Sequence, residues 1–182
     1  MQYEVNMKAL CALVHLAGKN EIRFYLNGVC VEFREAETVY VATDGNVLGS
    51  YKVPQRNESP RSVIIPRDVI ERIKLHKTHH DAVLSIGDDG AARLVYAAQN
   101  VDVGFQPLDG VFPDWRRVVP AEVSNEPGNY DVELLGKFVK VNKVFGVAYP
   151  GTILLRQNGE MGAALVALKD EAFQGVIMPF RV

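Results

Sequence analysis

SVIIPRDVIERIKLHK, residues 62–77, begins as a short apolar-polar strand and runs into a segment of helical period, in which Val69, Ile70 and Ile73 share one face. The same plan occurs twice more. QYEVNMKALCALVHLAG (2–18) places Leu10, Leu13, Val14 and Ala17 on a common face, and NYDVELLGKFVKVNKVFG (129–146) does so with Leu135, Phe138, Val139 and Asn142, with Val141 and Phe145 nearby. The copies recur about every 60 residues, which makes the chain a repeat protein of three units.

Strands follow each helix. In the first unit IRFYLNGVCVEF and TVYVA precede a turn at Asp44-Gly45, then NVLGSYKV; Asn27-Gly28 alone predicts a hairpin, but the apolar pattern runs through it and reads as a bulge inside a strand. In the second, AVLSIG and ARLVYAAQ flank a DDG turn and VDVGF follows. In the third, TILLRQ and AALVALKD flank NGEMG, and FQGVIMPFRV closes the chain. Each unit therefore reads β-α-β-β-β and the fold class is α+β. PQRNESPR (54–61) and PAEVSNEPGN (120–129) are polar, proline-bearing separators. The expected organisation is a domain over 1–112, built of units 1–57 and 58–112, a connector over 113–127 and a half domain over 128–182.

Composition bounds the function. The 182 residues are 48% hydrophobic, enough for a packed core, and the net charge of −2 gives no general affinity for nucleic acid, so any DNA contact must rest on local placement of Lys and Arg. No apolar run reaches the roughly 18 residues a membrane span needs, and MQYEVNMKAL has no signal-peptide pattern; the expected location is the cytoplasm. Cys11 and Cys30 sit in apolar surroundings without metal-ligand spacing and read as buried free thiols. His76, His79 and His80 lack an acid or Cys partner and read as a polar helix end; Asp88 and Asp89 lie in a turn, and Asp44 reads as a turn former. With no nucleophile-base constellation, phosphate loop or dinucleotide fingerprint, the expectation is no enzyme, no cofactor and no metal.

FYLNGVCVEF, VATDGNVLG, SVIIPRDVIE, LDGVFPDWRRVVP and the closing VIMPFRV, in this order, resemble the bacterial sliding clamps, the beta subunit of DNA polymerase III. Units one and two resemble that family's middle domain and unit three the second half of its last domain; the first domain and half of the third have no counterpart here. The resemblance implies a DNA polymerase processivity factor that encircles duplex DNA as a ring, without reading sequence, and holds partners by short hydrophobic peptides. The implied peptide pocket consists of Leu26, Thr43, Gly45, Val47, Leu48, Pro113, Val118, Val176, Met178 and Arg181, with Arg116 or Arg117 available to anchor backbone or carboxylate groups. The family's usual His-Arg after ATDG is replaced by Asn46 and Val47, which implies a more apolar pocket.

The resemblance also implies that helix cations face DNA phosphates through water. Lys137, Lys140 and Lys143 recur every three residues, covering an arc of about 120° on one face; Arg72, Lys74 and Lys77 are placed near the end of the second helix, Lys8 and Lys19 on the first. On pattern alone the pocket set is also compatible with ordinary core, and the lysines with a solvated face. A family ring carries twelve units, so three per chain predicts a homo-tetramer closed through pairs of third units and a second interface. The alternative is a non-ring decoy or adaptor that captures clamp-binding peptides or caps a full-length clamp.

Overall fold

The computed structural model describes residues 1–180; the expected pocket residue Arg181 lies outside them. Unit one comprises β1 (Gln2–Asn6), α1 (Met7–Leu13), β2 (Gly28–Phe33), β3 (Glu37–Thr43) and β4 (Val47–Pro54). Unit two comprises β5 (Arg61–Pro66), α2 (Arg67–Glu71), β6 (Asp81–Ile86), β7 (Ala92–Tyr96) and β8 (Val101–Phe105). Unit three comprises α3 (Val132–Phe145), β9 (Leu154–Arg156), β10 (Ala164–Ala167) and β11 (Phe173–Ile177).

The first strands of units one and two change places. β1 joins the sheet of unit two, giving the order β1-β6-β7-β8, and β5 joins that of unit one. The second sheet then continues across the expected boundary into unit three, in the order β5-β2-β3-β4-β11-β10-β9. All of its pairings are antiparallel, and β4 and β11 meet with Gly49 opposite Gly175. A Cβ at Gly49 would lie 2.3 Å from Leu16 Cδ1, and one at Gly175 would lie 2.8 Å from Phe138 Cε1. A side chain at either position would displace Leu16 or Phe138, so the glycines let these core residues pack directly on the seam.

The helices lie on one side of the sheets. Asn6 caps α1 by accepting from Ala9 N (3.0 Å), and Asp131 caps α3 by accepting from Glu133 N (2.7 Å). Gly146, at φ 75°, ends α3 in the left-handed conformation. Leu10, Leu13, Ile70, Phe138 and Val141 from the three helices are buried in one core with the inner faces of the strands. Burial on the helices follows the faces expected from the 3.6-residue period.

Four expectations are corrected. IRFYL is not strand: Phe24–Leu26 form a 3-10 turn and β2 starts at Gly28, because the Asn27 side chain bonds both Glu21 N (2.9 Å) and Glu21 O (3.0 Å), closing a loop where a bulge was expected. The second helix stops at Glu71, so Lys74 and Lys77 lie in the extended return to β6; the Tyr96 hydroxyl accepts from His76 N (3.0 Å), holding that return outside a helical ladder. Lys19 likewise lies beyond the 3-10 turn Val14–Leu16 that ends the first helix. In unit three no strand precedes the helix; Asn129 O accepts one backbone bond, from Phe180 N (2.7 Å), and the segment enters α3 directly.

Candidate functional site

The outer face of the seven-stranded sheet is covered by residues 108–119, the end of unit two and the start of the connector. Leu108 N bonds Ile64 O (3.0 Å) at the start of the crossing, and a 3-10 turn over Trp115–Val118 ends it. Trp115, 4% exposed, packs with Cys30, Val39, Val41, Leu48, Ile64 and Val176 in a second, smaller core. Its indole Nε1 donates to Glu32 Oε1 (2.9 Å), while Arg116 stacks over the indole ring (4.1 Å to the centroid) and donates to Glu32 Oε2 (2.6 Å). Glu32 also accepts from Arg34 (2.7 Å). One carboxylate on β2 therefore pins the connector through two charge-assisted bonds, one from the neutral indole and one from the guanidinium. Of the paired arginines, Arg116 is used in this way and Arg117 stays exposed, 3.8 Å from Asp114.

Where the connector meets the β3–β4 turn and the end of β11, a cavity of about 200 Å³ opens, its surface more apolar than polar. The structure brings together there Leu26, Thr43, Gly45, Val47, Leu48, Pro113, Val118, Val176 and Met178, every expected pocket residue among those described. Leu26 and Val47 are 1% exposed and serve as walls, whereas Val118 at 50% and Met178 at 38% offer apolar surface at the mouth. The lining also includes Asn46, noted above as a departure from the family pattern, and Arg23, Asp114 and Trp115, which sequence reasoning missed. Arg23 adds a cation to a largely apolar cavity: a Cβ built on Gly45 would lie 2.7 Å from its guanidinium, so the 21–27 loop delivers a positive group over the turn. Its signal, a lone Arg before an aromatic pair, was masked by the strand-like pattern around it.

The turn itself is heavily bonded. Asp44, 8% exposed, accepts from Asn46 N (2.8 Å) and Val47 N (2.9 Å) through Oδ1, and Thr43 Oγ1 donates to Val47 O (2.7 Å) and accepts from Gly45 N (3.0 Å). Met178 N donates to Asn46 O (2.8 Å), joining the last strand to the turn. Asp44 Oδ2 accepts from Lys137 Nζ of α3. A rigid turn with its polar atoms satisfied presents apolar side chains to a ligand at little ordering cost.

That pair removes Lys137 from the expected DNA-facing set. Lys140 and Lys143 do face the open side of the helix layer, lining a groove with His15, Glu71 and Val144, and Lys8 of α1 lies over the Phe145 ring (5.9 Å). Burial, with Lys140 and Arg67 adding to it and Glu71 opposing, pushes the His15 pKa below its ordinary value. Arg72 is paired with Asp68 (3.0 Å), and Lys19, Lys74 and Lys77 are exposed off the helices. Burial raises the thiols of Cys11 to about 11 and of Cys30 to about 12, the latter with help from Glu32, so both stay protonated at neutral pH. Among the described residues no cluster of three metal-ligating side chains occurs and no helix is long and apolar enough to cross a membrane.

Comparison with known proteins agrees with this architecture. The family described as "DNA polymerase III beta subunit, central domain" matches residues 4–114. The beta sliding clamp of Escherichia coli (strain K12) is 35% identical over 109 residues, 55% of this chain and 27% of the relative, so the chain matches about a quarter of that protein's length. The crystal structure of the DNA polymerase III subunit beta from Pseudomonas aeruginosa aligns with 100% of this chain and 67% of its own at a TM-score of 0.73 and 19% identity. That of the Helicobacter pylori beta clamp bound to DNA ligase peptide covers 100% of this chain and 66% of its own, at a TM-score of 0.72 and 15% identity. The fold is that of these clamps, across all three units, and the chain belongs to the DNA polymerase III beta subunit family through that family's central domain.

Proposed function

We propose that this chain is a non-enzymatic processivity factor of the bacterial cytoplasm, which closes as a homo-oligomeric ring around duplex DNA and tethers a polymerase or other replication protein by a short hydrophobic peptide. The observation that carries the reading is the pocket: three segments far apart in sequence, the β3–β4 turn, the connector and the end of β11, converge on one apolar cavity with a cation at its rim. A peptide anchored by two or three side chains suits a site of this size and chemistry. The Helicobacter pylori relative, solved with a DNA ligase peptide, supports the partner class. Tethering works through effective concentration, so modest peptide affinity suffices.

The helix layer supports the DNA role, with Lys8, Lys140 and Lys143 as its phosphate-facing cations and Lys19, Lys74 and Lys77 at its margins. Three units per chain divide the family's twelve into a tetramer. Unit three, with no leading strand and with β9 at a sheet edge, supports a pairing of third units.

The test is fluorescence anisotropy of a labelled hydrophobic clamp-binding peptide. Saturable binding is expected, weakened about tenfold by Met178→Ala and more by Val118→Asp. Binding indifferent to both substitutions overturns the pocket. Light scattering reads the ring: a mass about four times 20.2 kDa is expected, and a monomer at all concentrations overturns it.

A further inference from the structure

His76, Thr78 and His79 belong to the return from α2 to β6, outside the lining of both the apolar pocket and the helix-layer groove. No helix carries them, since α2 stops at Glu71. The return is nonetheless held to the fold by its backbone. His76 N donates to the hydroxyl of the fully buried Tyr96, that hydroxyl donates to His79 O, and Met7 N donates to His80 O (2.7 Å). One phenol thus ties the backbones of both histidines and fixes their spacing before any ligand arrives.

The side chains leaving this braced backbone converge. His76 Nδ1 and His79 Nδ1 are 3.4 Å apart, and Thr78 Oγ1 is 3.5 Å from the first and 3.0 Å from the second. In a tetrahedral site with bonds of about 2.0–2.1 Å, two ligand atoms lie about 3.3–3.4 Å apart. The three atoms therefore outline one face of such a site. The rings meet edge to face, with centroids 5.0 Å apart and planes inclined by 62°, so neither ring covers the other's nitrogens. His76 is half-buried and Thr78 and His79 are exposed, which leaves the face open to solvent.

His76 is also in the tautomer a metal requires. Its Nδ1 accepts from Thr78 N and His79 N (3.2 Å each), so the ring proton is on Nε2 and Nδ1 carries a lone pair. Both bonds are at the long end of the range and share one acceptor; they are the contacts a cation displaces.

We propose that His76 Nδ1 and His79 Nδ1 bind one divalent transition cation of the zinc class, with the Thr78 hydroxyl beside it and water completing the shell. Two imidazoles and a hydroxyl make a neutral, nitrogen-rich set, suited to zinc, copper or nickel and unsuited to magnesium or calcium, which take oxygen ligands. The cation clips residues 76–79 from the side opposite Tyr96. With two protein nitrogens, and with the exposed Lys77 adding a positive charge between them in sequence, the expected affinity is micromolar, far short of a four-ligand structural zinc site.

The experiment is calorimetric titration of the untagged full chain with zinc chloride at about pH 7.5, where imidazoles are neutral. One zinc per chain is expected. His76→Ala and His79→Ala are each expected to weaken binding about tenfold or more, and Thr78→Val to weaken it less. The chain has four histidines, so His15→Ala and His80→Ala complete the controls and are expected to change nothing. Magnesium chloride is expected to give no binding heat. In the unsubstituted chain, nitrogen NMR of the imidazoles is expected to show zinc shifting Nδ1 of His76 and His79 alone, a reading that stands even where a variant fails to fold. No heat up to millimolar zinc overturns the site. So does binding that survives in the His76→Ala/His79→Ala double variant, binding lost with His80→Ala, or coordination through Nε2.

Discussion

Lys137 of α3 donates to Asp44 of the β3–β4 turn, joining two residues 93 positions apart and two different units through a carboxylate that is 8% exposed. The other oxygen of the same carboxylate holds the turn's backbone, so the pair fixes one wall of the pocket from behind. Lys137→Met strands a buried charge, and the expected cost is about 2 kcal/mol of stability, read by denaturant unfolding. Peptide affinity is expected to fall severalfold and to recover in part with Lys137→Arg. Unchanged affinity in a folded Met variant would show that the turn holds its shape without the lysine.

A similar argument applies to Glu32, which binds both the Trp115 indole and Arg116. Glu32→Ala releases the connector from the sheet. Because Trp115 is the chain's only tryptophan, its emission is expected to shift to the red and its quenching by acrylamide to increase, with weaker peptide binding in parallel. Glu32→Gln keeps an acceptor for the indole but loses the charge for Arg116, so its effect is expected to be smaller than that of alanine.

These two anchors show where sequence reading reached and where it stopped. Alternation, turn residues and helical period located the units because each signal is local, and the motif residues other than Arg181 line one cavity. The exchange of β1 and β5 between sheets left no local trace: an edge-pairing choice does not alter a strand's own pattern. Lys137 looked equivalent to Lys140 and Lys143 because spacing encodes a face, not the carboxylate that waits at one end of it. Arg23 was hidden for the opposite reason, since IRFYL alternates like a strand while the Asn27 side chain folds it into a turn.

His15 gives the helix layer a pH dependence with a definite sign. Its folded pKa is lowered, by burial first and then by Lys140 and Arg67, so on acidification the unfolded chain takes up the proton before the folded one. This contribution is fully favourable above the unfolded value of about 6.5 and is lost as pH falls from there toward the folded pKa. Thermal melts between about pH 7.5 and 5.5 are expected to show a declining midpoint, and His15→Asn to flatten that decline. A slope identical in the variant would assign the effect to other groups.

The lysines of α3 separate by role, which gives the last test its form. Lys140 and Lys143 sit on the open side of the helix layer, whereas Lys137 is spent on Asp44. If the layer faces DNA phosphates, each lysine that neutralises one contributes about one unit to the slope of log affinity against log salt. Lys140→Glu/Lys143→Glu is therefore expected to weaken binding to duplexes of any sequence alike and to lower that slope by about two, with the peptide pocket intact. Lys137→Met is expected to leave the slope unchanged while impairing the pocket. Equal loss of slope from both variants would mean that the Asp44 pair opens on DNA, and no loss from either would place the duplex on another surface.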